Sequence, residues 1–209
     1  MLAELSLKTF IDKIISNDPV PGGGSVSALN GAMAASLAAM VANLTAGRKK
    51  YAEVDELMRT LATQLENTAG KLLADVDRDS DAYNRVFAAF KMPKETDEEK
   101  AARSEAIQRE TKYAAQVPME VARAVHGILP QIATVAQKGN SNAVTDACVA
   151  MMCARTAVLG ALLNVKINLS SIKDGDFVKA MAEEAARLEI DTIEQEKNLL
   201  LYAKENHGL

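Results

Sequence analysis

The chain has 209 residues, a formal net charge of −4, 48% hydrophobic and 25% charged residues. This is a globular balance with enough chain for one sizeable core, and it lacks the basic excess of a nucleic-acid binder. Aromatic residues are 4% and tryptophan is absent, so the core must be built from Ala, Leu, Val, Ile and Met, which favours packed helices over sheets.

The N-terminal stretch MLAELSLKTF carries Glu4 and Lys8 where a secretory leader needs an apolar run, so no export signal is expected. Ser6 is a candidate cap for a first helix with Phe10, Ile11, Ile14 and Ile15 as its apolar side. Asn17-Asp18-Pro19 ends it. A proline-glycine loop, PVPGGG, then leads into an uncharged alanine-rich helix that runs to about Ala46. That run is long enough to span a bilayer. Its Ser25, Ser27, Asn30, Gly31, Ser36 and Asn43 make transfer into lipid poor, so it is read as a buried helix of a non-membrane protein. Gly47 suits its C-terminal cap, and Arg48, Lys49 and Lys50 suit the negative helix end.

At about 100° per residue, Val26, Leu29, Met33, Leu37, Met40, Val41 and Leu44 share one face of this helix. Ala28, Gly31, Ala35, Ala38, Ala39 and Ala42 share the other. A helix apolar on all sides is expected to be buried on all sides. The small face admits a close neighbour. That neighbour is a helix of the same chain or of a second subunit. The second is favoured, because a chain of this length has few helices with which to enclose it.

A third helix is expected from about Val54 to Phe90, with a stripe through Leu57, Leu61, Leu65, Ala69, Leu72, Val76, Tyr83, Val86 and Phe90. Asp79 stands in that stripe where a hydrophobe belongs. A carboxylate there is either paired, hydrogen-bonded between helices, or functional. Asp75, Asp77 and Asp81 read as a solvated face. Thr96-Asp97-Glu98-Glu99 is a capping box for a fourth helix, which Pro118 and Pro130 are expected to interrupt before Gly139. A fifth helix runs from about Asn142 or Thr145 to Leu163. Asp146 and Arg155 are its only charges, and Asn142 lies one turn before Asp146. The ordinary reading makes Asp146 a first-turn residue favoured by the helix dipole. NVKINLSSIKDG reads as a connector, and a last helix spans about Asp176 to Asn206. The expectation is all-α: residues 1–209 as a single-domain bundle of long helices around a buried Ala/Gly-rich central helix.

Cys148 and Cys153 fall on different faces of one helix. Neither a disulfide nor a zinc site is supported, and a reducing, cytoplasmic setting fits. His126 and His207 are the only histidines, and no Ser-His-Asp set or metal pattern surrounds them. The triple glycine lacks the Lys-Ser/Thr of a P-loop. Its backbone N–H groups at a helix start suit a carboxylate or another acceptor.

Taken in order, PVPGGGSVSALNGAMAASLAAMVANLT, GRKKYAEVD, DRDSDAYNRV, VPMEV, GNSNAVTDA and NVKINL resemble the formiminotetrahydrofolate cyclodeaminase / methenyltetrahydrofolate cyclohydrolase family along nearly the whole chain. The resemblance implies an all-helical, dimeric or larger enzyme of one-carbon metabolism. Its substrate is a tetrahydrofolate derivative, and it uses no metal or nucleotide cofactor. By the same resemblance Asp79 and Asp146 become candidate catalytic groups, and Lys49 a basic group for the substrate's carboxylates or for proton donation. Gly22, Gly23, Gly24 and Ser25, with Asn43 and Asn142, become candidate substrate contacts. The segment PKETDEEKAARSEAIQ looks more like the cyclohydrolase branch, so hydrolysis of 5,10-methenyltetrahydrofolate to 10-formyltetrahydrofolate is the first expectation. Cyclodeamination of formiminotetrahydrofolate is the second. A folate-binding or scaffolding helical oligomer without catalysis is the rival of another class.

Overall fold

The computed structural model describes all of residues 1–209. Six α-helices make the molecule: α1 Leu7–Ile15, α2 Gly23–Thr45, α3 Asp55–Phe90, α4 Asp97–Lys138, α5 Val144–Leu169 and α6 Gly175–His207. Short 3₁₀ turns at Leu2–Glu4, Lys49–Val54 and Ser141–Ala143 complete it, and there is no strand. The expected start and stop signals work as chemistry. Ser6 accepts the Thr9 N–H, and Thr96 and Glu99 form the reciprocal capping box; the last helix starts just before the expected Asp176, where Asp174 in the expected connector accepts the Phe177 N–H. Gly47, just past α2, takes a φ of +74, the left-handed conformation that a side chain disfavours.

α2 is the centre of the bundle, in contact with α3, α4 and α5. Its small face is what makes this possible. Ala28, Ala35, Ala38 and Ala42 are fully buried. A Cβ on Gly31 would stand 2.6 Å from Val125 Cγ2 of α4, so only glycine lets those backbones approach as they do. The close neighbours of the small face are therefore helices of the same chain, where a second subunit was favoured. The bulky face is the open one: Met33 and Met40 are exposed, and Leu29 and Leu37 are half-buried. Burial on all sides does not hold within one chain.

Two further expectations are corrected. α4 runs unbroken through Pro118 and Pro130; each removes one helical hydrogen bond, and the buried face from Ala106 to Ala136 holds the helix straight through. α5 continues through NVKINL to Leu169 because Val165 and Leu169 keep the helical spacing of its buried face. α2 and α5 both have the length and hydropathy to cross a membrane, yet here they pack against each other as core helices of one bundle.

Candidate functional site

α2 begins without a side-chain cap, at Gly22. Its first turn lies against α3, where Gly24 occupies the surface of Asp79. A Cβ at Gly24 would fall 2.0 Å from Asp79 Oδ1, so this contact exists only with glycine. Val20, the three glycines, Asp79, Tyr83, Val86, Ala114, Asn164 and Ile167 are among the walls of a cavity of about 370 Å³. A larger apolar groove of about 730 Å³ lies between α5 and α6. The smaller cavity holds the convergent polar groups and is the better candidate for chemistry.

Asp79 is half-buried. Burial pushes its carboxyl above the ordinary range, and the nearby Asp75 adds to this; hydrogen bonds from the Ser25 hydroxyl and amide partly offset it. Ser25 itself is fully buried behind the aspartate. Its Oγ lies 2.9 Å from the Val76 carbonyl oxygen, 3.0 Å from Asp79 Oδ2 and 3.1 Å from Ser80 Oγ. A hydroxyl has one proton, and a carbonyl only accepts. When Ser25 donates to Val76, the contact to Asp79 is satisfied by a proton on Asp79.

The opposite wall comes from α5. Asn164 Nδ2 donates to the Gly160 carbonyl at 2.9 Å. Asn168 Nδ2 donates to the carbonyls of Ala114 and Asn164 at 3.2 and 2.8 Å. Because those carbonyls accept only, the orientation of both amides is fixed, and each Oδ1 is left for another donor. Tyr83, exposed at the rim, stacks on Phe87 with ring centroids 6.3 Å apart.

The structure thus brings together Gly22, Gly23, Gly24 and Asp79 from the sequence expectation, with Ser25 behind them. It places the other candidates at the far end of α2, roughly 30 Å away at 1.5 Å per residue. There Lys49 and Asn142 are exposed and Asp146 is half-buried. Asn43 is exposed and donates to Glu66 Oε1 at 3.0 Å. This end is tied by the Thr45 hydroxyl, which accepts the Asn140 N–H at 2.8 Å, and by Tyr51, whose hydroxyl accepts the Ser141 N–H at 3.1 Å. The Ser141 hydroxyl and amide, aided by Lys50, bring the Tyr51 phenol down to about 8.

Sequence reasoning missed Asn164, Asn168 and Tyr83 as site residues. The asparagines lie in NVKINL, read as a connector; a helical reading puts both beside the glycine turn. The solvated reading of the acidic run also changes. Asp75 pairs with Arg78 at 2.9 Å, Arg78 also pairs with Glu120, and Asp77 accepts the Leu2 and Ala3 amides. Arg155 forms an ion pair with Glu196 at 2.9 Å, and His126 meets Asp191 at 2.5 Å.

Known proteins match this chain along most of its length. The formiminotransferase-cyclodeaminase family profile covers residues 6–187. A methenyltetrahydrofolate cyclohydrolase of Methylorubrum extorquens is 38% identical over 184 residues, 88% of each chain. The formimidoyltransferase-cyclodeaminase of Rattus norvegicus is 35% identical over 195 residues, which are 93% of this chain and 35% of that protein; this chain spans about a third of its length. The crystal structure of a formiminotetrahydrofolate cyclodeaminase from Thermotoga maritima superposes with a TM-score of 0.87 at 32% identity, covering 100% of this chain and 98% of that one. Glycine turn, buried helix and later motifs are thus parts of one inherited fold, and the chain belongs to the formiminotransferase-cyclodeaminase family.

Proposed function

We propose that the chain is a cytoplasmic enzyme of folate one-carbon metabolism that closes 5-formiminotetrahydrofolate to 5,10-methenyltetrahydrofolate with release of ammonia. The observation that carries this reading is Asp79, a carboxyl held toward its neutral form in a cavity against a glycine turn. The full-length likeness to the Thermotoga maritima cyclodeaminase supports the direction of the chemistry.

In that reaction the formimino nitrogen takes up one proton from solvent to become an amidinium, N10 attacks its carbon and loses its own proton, and the nitrogen that leaves gains that second proton and departs as ammonia, leaving the methenyl cation. A new N10–C bond forms and the C–NH₂ bond breaks. A carboxyl group between the two nitrogens carries the proton from one to the other, as base and then as acid. Its raised pKa brings it nearer the range where both steps run at neutral pH. The Oδ1 atoms of Asn164 and Asn168 accept from ring N–H groups of the pterin. Tyr83 offers an aromatic wall, and the free N–H groups of the glycine turn meet an acceptor of the ligand. Gly22, Gly23 and Gly24 keep the contacting role expected from sequence; Ser25 acts through Asp79.

Water addition to the same methenyl carbon, opening to 10-formyltetrahydrofolate, is the second reading. The cyclohydrolase of Methylorubrum extorquens, matched over 88% of both chains, favours it. One paired assay tests both: ammonia release from the formimino compound, and loss of the methenyl absorbance on adding enzyme to 5,10-methenyltetrahydrofolate. Ammonia without methenyl loss is the expected result. Methenyl loss without ammonia assigns the hydrolase. Folate binding with neither activity overturns the catalytic reading in favour of a binding protein.

A further inference from the structure

Two buried hydroxyls of α2 are satisfied within their own helix. Ser27 Oγ donates to the Gly23 carbonyl at 2.7 Å, and Thr45 Oγ1 to the Val41 carbonyl at 2.7 Å, each four residues back. Ser80 of α3, only 5% exposed, is satisfied differently. The carbonyl four residues before it belongs to Val76, and Ser25 of α2 holds that oxygen from outside at 2.9 Å. Ser80 has Ser25 itself as its side-chain partner, Oγ to Oγ at 3.1 Å. Ser25 in turn lies 3.0 Å from Asp79 Oδ2. Three side chains from two helices therefore form one chain of hydrogen bonds that ends at the candidate acid-base carboxyl.

Counting protons gives the chain its direction. The Ser80 proton has one acceptor, the Ser25 oxygen, so Ser80 donates. Ser25 has one proton and two lone pairs. With Asp79 ionised, Ser25 accepts from Ser80 and donates to the carboxylate. The Val76 carbonyl then keeps its ordinary helical partner, the Ser80 N–H. With Asp79 neutral, the carboxyl O–H donates to the second lone pair of Ser25, and the Ser25 proton turns to Val76. Every donor has an acceptor in both states. Only a hydroxyl proton rotates between them; no heavy atom moves.

We propose that Ser80 is a positioning residue for the reaction: its hydroxyl donates to Ser25 in both states and keeps the single Ser25 proton available to the carboxylate, so that Asp79 accepts and returns a proton in place. The proposal rests on the folate reading for its chemistry and on these distances for its geometry. Ser80 is buried behind Ser25 and acts through it. A hydroxyl that accepts a hydrogen bond becomes a stronger donor and a poorer acceptor. Donation from Ser80 thus strengthens the bond from Ser25 to the carboxylate and weakens the bond from the carboxyl O–H to Ser25. Both effects favour the ionised form, against the burial that favours the neutral one. The carboxylate is the form that takes the N10 proton. Without the chain, Asp79 stays an acid and the proton-accepting step slows.

The charges on the packed elements leave this balance to the two serines. α2 carries no charged residue from Gly23 to Thr45. On α4, Glu110 is held by Arg85 and Arg109, Lys112 by Asp174, and Glu120 by Arg78. On α5, Lys166 is held by Glu189. On α3 itself, Asp75, paired with Arg78, opposes ionisation of Asp79, and the Tyr83 phenol lines the same cavity. Ser80→Ala removes one oxygen and alters none of these charges.

A direct titration tests the chain. The carboxyl carbon-13 resonance of Asp79, assigned by its loss in Asp79→Asn, is followed against pH in the ligand-free protein. Ser25→Ala is expected to raise the midpoint by about one pH unit, the equivalent of one hydrogen bond to a charged group. Ser80→Ala is expected to raise it by about 0.3 pH unit, the cooperative share of that bond. Ser27→Ala removes a buried hydroxyl from the same stretch of α2, outside the chain, and is expected to leave the midpoint in place.

The acid limb of the pH profile of kcat/KM for ammonia release is expected to move with the carboxyl. Below the midpoint the rate falls about twofold in Ser80→Ala and about tenfold in Ser25→Ala, with the wild-type plateau regained at high pH. A packing defect alone lowers the plateau and leaves the limb where it was. An unmoved or lowered Asp79 midpoint in Ser80→Ala overturns the proposal, as does a raised midpoint with an unmoved acid limb. A wild type that turns over neither folate overturns the folate reading, while the titration still decides the hydrogen-bond chain.

Discussion

The Ser25 hydroxyl stands between the Asp79 carboxyl at 3.0 Å and the Val76 carbonyl oxygen at 2.9 Å. One proton serves two acceptors there, so the pair is best satisfied when Asp79 carries a proton of its own. Asp79→Asn retains the shape and supplies a permanent donor. Turnover is expected to fall by at least about 100-fold, the usual loss on removing a general acid-base group.

The same change has a defined stability signature. Asp79 has a folded pKa above its unfolded value, so its favourable contribution is full below the unfolded pKa and is lost as pH rises through the folded one. At neutral pH the native aspartate destabilises the fold, and Asp79→Asn relieves this. Melting at pH 7 to 8 is expected at an equal or higher temperature than wild type. Below about pH 4, the ordinary carboxylate range, the gap closes. A mutant less stable at pH 8 than at pH 4 relative to wild type contradicts the assigned burial.

Gly24→Ala adds a methyl group 2.0 Å from Asp79 Oδ1. The aspartate must leave its position, with loss of activity and an overpacking penalty of about 1–3 kcal/mol. Gly70 is the control. It lies on α3 with nothing within 4 Å of an added Cβ, so Gly70→Ala is expected to stabilise by about 0.5–1 kcal/mol through helix propensity. Chemical denaturation of the two variants, with activity measured in parallel, separates the contact from a generic glycine effect.

Asn164→Ala removes the amide that faces Gly23 across the cavity. Its loss is expected to raise KM by about 10-fold, the equivalent of one lost hydrogen bond to substrate, with a smaller change in kcat. Steady-state kinetics with the formimino substrate check the split. An unchanged KM removes Asn164 from the binding wall.

Asp77 accepts the Leu2 N–H at 2.5 Å and the Ala3 N–H at 3.2 Å, fastening the N-terminus to α3. Asp77→Ala is expected to cost about 1 kcal/mol, a fall of roughly 2–4 °C in Tm for a chain of this size. Faster proteolysis confined to residues before α1 is the accompanying sign.

Local signals in the sequence determined the helices and most of their ends. Ser6, Thr96 with Glu99, and Gly47 act within a few residues of themselves, so their chemistry is legible without a fold. The two faces of α2 were legible for the same reason, as was the anomaly of Asp79 in an apolar stripe. Which face of α2 turns inward was not. That choice depends on which surfaces of α3, α4 and α5 are free to approach, and the alanines won because they let three helices approach closely. The continuity of α4 through its prolines and of α5 through NVKINL was settled by burial of a face, which outweighs a lost hydrogen bond or a weak local propensity. Only the tertiary structure divided the candidate site, because residues far apart in sequence meet at an end of a helix pair: Gly24, Asp79 and Asn164 at one end, Lys49, Asn142 and Asp146 at the other.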